Sequence, residues 1–112
     1  MTPTIIDNPL YQLLRNHDVD AFNKARADIA SIDFSNCDFR GLDLRKLNAN
    51  GINFSGAYFR SADLRGIDFR QATLEGASFA NAQVSGCYFP QQFCAAELEL
   101  SLSRGTRLRS KI

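Results

Sequence analysis

The sequence predicts a mainly β fold, a four-sided β-helix of about three coils with helices at both ends. Three observations lead to this prediction. Residues 32–91 divide without insertion into twelve five-residue units. Two positions in each unit are small or apolar, and the other three are mostly polar. The flanking segments lack the repeat and carry signals for helix ends. The chain, residues 1–112, is short enough that we expect a single domain.

The repeat is clearest when the units are read in frame from Ile32. They are IDFSN, CDFRG, LDLRK, LNANG, INFSG, AYFRS, ADLRG, IDFRQ, ATLEG, ASFAN, AQVSG and CYFPQ. The central residues are Phe34, Phe39, Leu44, Ala49, Phe54, Phe59, Leu64, Phe69, Leu74, Phe79, Val84 and Phe89. Two residues before each centre lies a smaller apolar residue: Ile32, Cys37, Leu42, Leu47, Ile52, Ala57, Ala62, Ile67, Ala72, Ala77, Ala82 or Cys87.

The spacing of these apolar residues fits neither a helix nor a flat strand. A helical face needs a mean period of about 3.6 and a strand needs strict alternation. Here the spacing alternates between two and three residues. A chain that turns a corner every five residues satisfies it, with two side chains per side pointing inward. Four sides close a coil of 20 residues, so residues 20 apart should stack at about 4.8 Å, the spacing of neighbouring strands.

These units resemble the pentapeptide repeat family, whose pattern is A-(D/N)-L-x-x with Leu or Phe at the centre. Residues 62–66, ADLRG, match the pattern outright, and INFSG, IDFRQ, LDLRK and CDFRG match with an aliphatic residue or Cys in the Ala slot. The resemblance covers about half of the chain. It implies a right-handed quadrilateral β-helix over 32–91. The sequence departs from the pattern at Ala49 in a centre and at Tyr58, Thr73, Ser78, Gln83 and Tyr88 in the Asp/Asn slot.

The segment before the repeat predicts a helical hairpin over residues 8–29 that covers the first coil. Asn8 is a good N-cap and Pro9 suits the first helical position, while Asp18 can cap a second helix. The apolar faces would be Leu10, Leu13 and Leu14 in the first helix and Val19, Phe22, Ala25 and Ile29 in the second. Such a cap would shield the strand edges that an open coil exposes.

The segment after the repeat is ambiguous. Residues 95–104 alternate like a strand but are rich in helix formers and are followed by Gly105, so we favour a short helix. Leu98 and Leu102 would then close the last coil or meet another copy of the chain. The tail, 105–112, continues the basic run that begins at Arg104, with Arg107, Arg109 and Lys111, and is expected to be partly mobile.

Composition argues against several classes of function. The net charge is +1, with 13 basic and 12 acidic residues, so no overall field attracts nucleic acid or an anionic membrane. No apolar run is long enough to span a bilayer, and no signal peptide is visible. The three cysteines have no CxxC spacing, which indicates free thiols in a reducing compartment. We therefore expect a cytoplasmic protein.

The residue types that carry chemistry have structural interpretations here. His17 lies between two predicted helices without acidic or thiol neighbours. Cys37 and Cys87 occupy inward slots, where Cys packs as a small apolar residue, and Cys94 is less determined. Asp33, Asp38, Asp43, Asp63 and Asp68 recur in the Asp/Asn slot, where they would satisfy corner backbone groups. We expect no enzymatic activity, no cofactor, no metal and no small-molecule substrate.

The outer surface contains a candidate partner-binding region. It comprises Arg40, Arg45, Tyr58, Arg60, Arg65 and Arg70, which stacking would bring together on neighbouring faces. Arg and Tyr are favoured at interface hot spots. An Asp two residues before four of these arginines allows a second interpretation, an ordinary solvated surface of mixed charge.

The sequence therefore favours a non-catalytic binding or scaffold module with an unidentified protein partner. A homodimer through the C-terminal end, with Leu98 and Leu102 in the contact, is an open alternative. The family resemblance adds a second alternative, since some pentapeptide repeat proteins mimic DNA and bind DNA gyrase. Weak nucleic-acid binding through the arginine faces and the tail is a third and less favoured one.

Overall fold

The computed structural model describes residues 3–110. This part of the chain forms three α-helices, α1 (Pro9–Arg15), α2 (Val19–Ala25) and α3 (Ala95–Arg104), and two short strands, β1 (Ile32–Asp33) and β2 (Ile52–Asn53). The strands pair in parallel. Regular strand is therefore scarcer than a mainly β fold implies. The reason is that each side of a coil is five residues long and ends in a turn, so continuous ladders are short.

Residues 20 apart nevertheless pair on most sides of the repeat, which confirms the predicted stacking there. Ile32 lies opposite Ile52 in the strand pair. Isolated parallel bridges continue the same register, for example from Asp38 to Tyr58 and from Tyr58 to Ser78. The Phe39 N–H donates to the Tyr58 carbonyl at 2.8 Å, and the Tyr58 N–H donates to the Cys37 carbonyl at 3.0 Å. We number the coils as the first (residues 32–51), the middle or second (52–71) and the third or last (72–91). Backbone hydrogen bonds thus hold each coil to the next.

The corners of the coils depend on residues with left-handed backbone. Gly51 has φ +75, and an added Cβ would lie 2.0 Å from the carbonyl oxygen of Ala30. Gly is therefore required there for space as well as for conformation. Other corners use residues that tolerate this region less readily, such as Asn36 with φ 60 and Lys46 with φ 71.

The interior of the coils is a stack of apolar side chains in the predicted columns. Phe39, Phe59 and Phe79 lie one above another, with ring centroids 5.3 and 5.0 Å apart and nearly parallel planes. All three are buried, and burial of each contributes roughly 2–3 kcal/mol. The core weakens only in the last coil, where Val84 and Phe89 are half-buried.

Helices α1 and α2 cover the first coil, and their polar side chains satisfy its upper edge. Asn8 caps α1 by accepting from two backbone N–H groups. The buried Tyr11 donates its hydroxyl to the Asp38 carbonyl at 2.7 Å. Asn23 donates to the Lys46 carbonyl and accepts from the Asn48 N–H, both at 2.8 Å. A side-chain amide thus replaces the peptide group of a missing coil.

The predicted apolar face of the second helix was wrong at its end. Helix α2 stops at Ala25, which is exposed, and Ile29 is 37% exposed. The buried residue at this end is Arg26, the C-cap of the helix, which is only 4% exposed. Its guanidinium donates to the Asn48 carbonyl at 3.1 Å and to the Ile29 carbonyl at 2.7 Å. The cationic side chain is buried because it satisfies carbonyl groups that an aliphatic residue would leave unpaired.

Helix α3 occupies the range over which helix was favoured, and it packs below the last coil. Leu98 and Leu102 are half-buried against the core, while Glu97 and Ser101 are buried. The Ser101 Oγ accepts from the Phe79 N–H at 2.9 Å. Gly105 ends the helix with φ 70. Within residues 3–110, no helix is both long and apolar enough to cross a membrane.

The expectation of a mobile tail was wrong for residues 105–110. Leu108 is 1% exposed. Its carbonyl accepts from the Gly76 N–H and its N–H donates to the Ala77 carbonyl, both at 2.8 Å. The segment returns antiparallel along the third coil because the buried Leu108 and these two hydrogen bonds hold it there. Lys111 lies outside the described residues.

Candidate functional site

Four of the five arginines in the candidate surface are held by the aspartate two residues earlier. In each pair, one carboxylate oxygen accepts from the arginine's backbone N–H, and the two oxygens accept from its Nε and Nη2. In the pair of Arg45 and Asp43, the side-chain bonds are 2.9 and 2.8 Å long. The other pairs are Arg40 with Asp38, Arg65 with Asp63 and Arg70 with Asp68. The Asp slot of the repeat therefore organises both the corner and the arginine that follows it.

These contacts change the ionisation of the carboxylates. The hydrogen bonds from Arg45 lower the pKa of Asp43 to about 2, and those from Arg70 lower the pKa of Asp68 to about 2. The same arrangement lowers the pKa of Asp38 and of Asp63. Each pair is thus a bidentate, charge-neutral unit near neutral pH. Such units offer a partner little net positive charge, as the solvated-surface interpretation holds.

The candidate residues have different neighbours in the structure. Arg45 and Arg65 share a face, where Arg45 also lies 3.4 Å from Asp63 of the next coil. Arg70 lies elsewhere, with its guanidinium 4.5 Å from the centre of the Tyr88 ring. Only three of the predicted residues, Arg40, Tyr58 and Arg60, border one cleft.

Arg60 differs from the other arginines of the surface. Tyr58 occupies the slot that holds Asp elsewhere, so Arg60 has no carboxylate two residues before it. Arg60 is exposed and forms no ion pair within residues 3–110. Tyr58 is engaged instead with Arg107, whose guanidinium lies 5.0 Å from its ring centre and donates to its hydroxyl.

The cleft, of about 460 Å³, lies between the repeat and the end of α3. It is lined by Pro3, Arg40, Tyr58, Arg60, Ser78, Ala80, Asn81, Ser103, Arg104 and Gly105. We call it the C-terminal cleft. Arg104 was not among the predicted site residues, because only the docking of α3 brings it near Arg60. Its position in the last helical turn was the one sequence signal that could have been used.

A second feature lies at the open end of the last coil. In the middle coil, the N–H groups of Leu64, Gly66 and Phe69 donate to carbonyls of the last coil at 2.8–2.9 Å. One coil later, the equivalent N–H groups belong to Val84, Gly86 and Phe89, and they find no acceptor among residues 3–110. We call this stretch, residues 82–89, the open edge. Leu98 and Leu102 close part of the same end of the molecule.

The remaining reactive side chains are placed as structural residues. His17 is exposed in the turn between α1 and α2, with φ 62. Burial raises the pKa of the Cys37 thiol to about 11 and also raises that of Cys87, whose Sγ donates to the Leu64 carbonyl. Cys94 is exposed. In the part of the chain that the structure describes, no group of three or more His, Cys, Asp or Glu could hold a metal ion.

The comparisons with known proteins identify the family to which this repeat belongs. The family model for pentapeptide repeats matches residues 25–59 and 52–89, in 8 copies. The chain therefore belongs to the pentapeptide repeat family. Neither the curated proteins nor the solved structures gave a match. Pentapeptide repeats in general imply a β-helix solenoid, and proteins of this family are generally interaction or scaffold modules without catalytic activity.

Proposed function

We propose that this chain is a non-catalytic protein-binding scaffold. Its fold is a right-handed quadrilateral β-helix of about three coils, and the rigid β-helix fixes the geometry of a protein-binding site at the open edge. The 20-residue register supports this fold. The aspartates at the corners are engaged by backbone and arginine groups, and Cys37 is buried. The residues that could suggest catalysis therefore have structural roles.

One observation carries the proposal, the open edge of the last coil. It combines unpaired backbone N–H groups with half-buried apolar side chains, Val84, Cys87 and Phe89. Unpaired backbone groups at the end of a coil can pair with an added extended segment, as an exposed strand edge does. Strand addition draws affinity from main-chain hydrogen bonds and specificity from side-chain pockets. The occupant we propose is an extended segment of a partner protein.

The donors and acceptors on the open edge favour a different protein over a second copy. The outward carbonyls of this stretch are those of Ala82 and Cys87, equivalent to Ala62 and Ile67 one coil earlier, which accept from the next coil. Three N–H groups thus accompany two carbonyls. A second copy joined edge to edge would present the same excess of donors. A strand that presents more carbonyls leaves fewer N–H groups unpaired.

Photo-crosslinking in the native cell tests the proposal. A photoreactive residue in place of Ser85, which is exposed within the open edge, should give a discrete protein adduct. The same residue in place of Ser31, which is exposed at the first coil, is the matched control and should give none. Val84→Lys, whose cation blocks strand addition, should reduce the Ser85 adduct at least several-fold while the protein stays folded.

Three results would contradict the proposal. The first is an adduct at Ser85 that is no stronger than at Ser31. The second is an adduct at Ser85 that is unchanged by Val84→Lys in a protein shown to be folded by circular dichroism. The third is an adduct with twice the mass of the chain that is abolished by Val84→Lys. That result would assign the open edge to a homodimer.

A further inference from the structure

We propose that the C-terminal cleft binds the phosphate group of a small phosphorylated ligand. This site is separate from the open edge and involves different residues. Its central feature is a pair of arginines, Arg60 and Arg104, that come from the repeat and from the end of α3. Neither forms an ion pair within the described part of the chain.

The charge of the cleft is unusual for this surface. Along the rest of the repeat, arginines are neutralised by the aspartate two residues earlier. In the cleft, only Arg40 is neutralised in this way, by Asp38 at 2.9 Å. No acidic residue is among the described residues that line the cleft. Arg60 and Arg104 therefore line a space without a counter-charge, and neither side chain forms a hydrogen bond within residues 3–110. This arrangement favours a doubly charged anion.

The walls of the cleft are fixed before any ligand binds. The Asn81 N–H donates to the Leu102 carbonyl at 2.9 Å, and the Ser78 Oγ donates to the Gly105 carbonyl at 3.2 Å. These bonds hold the end of α3 against the corner at Asn81, which lies one coil after the corner that follows Arg60. A site whose backbone is already ordered loses less entropy on binding.

Phosphate is the anion that best matches this arrangement. A guanidinium donates two parallel N–H groups to phosphate or carboxylate oxygens, and two guanidinium groups match the double charge of a phosphate monoester. The volume of about 460 Å³ is within the range of small-molecule pockets, roughly 300–1,000 Å³. A lone carboxylate would leave one arginine without a partner.

Thermal unfolding and calorimetry with inorganic phosphate and pyrophosphate test the proposal at low ionic strength. Both anions should raise the melting temperature of the intact chain, since a ligand that binds the folded state stabilises it. Sodium chloride at matched ionic strength and sodium acetate serve as controls. Arg60→Gln and Arg104→Gln should each weaken pyrophosphate binding about tenfold, the loss expected for one charged hydrogen-bonding group.

Arg70→Gln is the matched variant, because Arg70 belongs to the same repeat but is paired with Asp68 outside the cleft. It should bind pyrophosphate as the parent chain does. The proposal is overturned if neither anion shifts the melting temperature beyond the chloride control. It is equally overturned if Arg70→Gln weakens binding as much as Arg60→Gln. A diffuse basic surface rather than a site would then account for the binding.

Discussion

At the scale of the residue, one slot of the repeat decides what the following arginine can do. Where the slot holds Asp, as at Asp43, the carboxylate accepts from the corner N–H and also holds the guanidinium. Where it holds Asn, as at Asn53, the corner bond remains, with the Ser55 N–H donating at 2.9 Å. Where it holds Tyr58, the arginine at position 60 has no such carboxylate. The residue in this slot therefore supports the corner and also determines whether the following arginine is paired with a carboxylate.

The acid sensitivity of the fold should depend partly on these carboxylates. Their pKa is depressed in the folded chain, so their contribution is present above the unfolded pKa of about 4. It is lost as the pH falls toward about 2, where Asp43 and Asp68 become protonated. Asp43→Asn with Asp68→Asn should therefore reduce the drop in the urea midpoint between pH 5 and pH 2.5. At pH 7 the corner bonds should persist, as at Asn53.

Asp28→Asn is the control for this experiment, because Asp28 is exposed and forms no ion pair within residues 3–110. Its urea midpoint should follow that of the parent chain at both pH values. Salt at about 1 M should shrink the difference between the parent and the double variant, since both pairs are exposed and screened. An equal drop for the parent and the double variant at low salt would show that these pairs contribute nothing to acid stability.

At the scale of the element, the two caps both pair backbone groups at the ends of the repeat, but they do so with different groups. The N-terminal helices place side chains, Tyr11, Asn23 and Arg26, on the free carbonyls and N–H groups of the first coil. At the other end, α3 supplies Ser101, while the tail supplies its own backbone around Leu108. Both arrangements satisfy buried backbone groups that a helix or a coil cannot satisfy alone.

Ser101→Ala should test how much one such contact contributes. Ser101 is fully buried and its Oγ accepts from the Phe79 N–H at 2.9 Å. The substitution leaves that N–H without an acceptor, so the free energy of unfolding should fall by about 1–3 kcal/mol. Ser103→Ala is the matched control. Ser103 is an exposed serine on the same helix that bonds the Glu99 carbonyl, and urea unfolding should show a change below about 0.5 kcal/mol.

A loss in Ser101→Ala no larger than in Ser103→Ala would mean that water reaches the Phe79 N–H, and that the Ser101 hydrogen bond contributes little to the docking of α3. The apolar contribution comes from Leu98 and Leu102, which are half-buried against the core.

At the scale of the whole molecule, the sequence predicted the repeat better than its ends. Register and burial could be predicted because each five-residue unit has the same two apolar positions. A wrong register in one unit would place the apolar residues of the next unit on the outside. Each cap occurs once in the chain, so its predicted structure cannot be checked against other copies of the same pattern. Arg26 and Ser101 are polar residues buried for hydrogen bonds that only the assembled coil defines, and a pattern of apolar residues cannot reveal them. The placement of Arg60 and Arg104 on one cleft likewise depends on where α3 docks.

The same architecture predicts that the molecule loosens from its C-terminal end. Each coil contacts only its neighbours, so stability is close to a sum of coil and interface terms. Leu108→Asp places a charge where the tail closes the third coil. Hydrogen exchange at the Gly76 amide should accelerate roughly a hundredfold, in line with the 2–5 kcal/mol lost on truncating a buried Leu. The Phe34 amide in the first coil donates to the Asn53 carbonyl in the second coil, and its exchange should change much less.

Thr106→Asp is the control, because Thr106 is exposed in the same segment, and its exchange pattern should match that of the parent chain. A uniform acceleration at Gly76 and Phe34 would show instead that the coils and both caps unfold as one cooperative unit. Graded exchange would mean that the third coil is the least stable part of the solenoid. Because the open edge lies on that coil and the C-terminal cleft borders it, a ligand or a strand bound there would also stabilise the tail against opening.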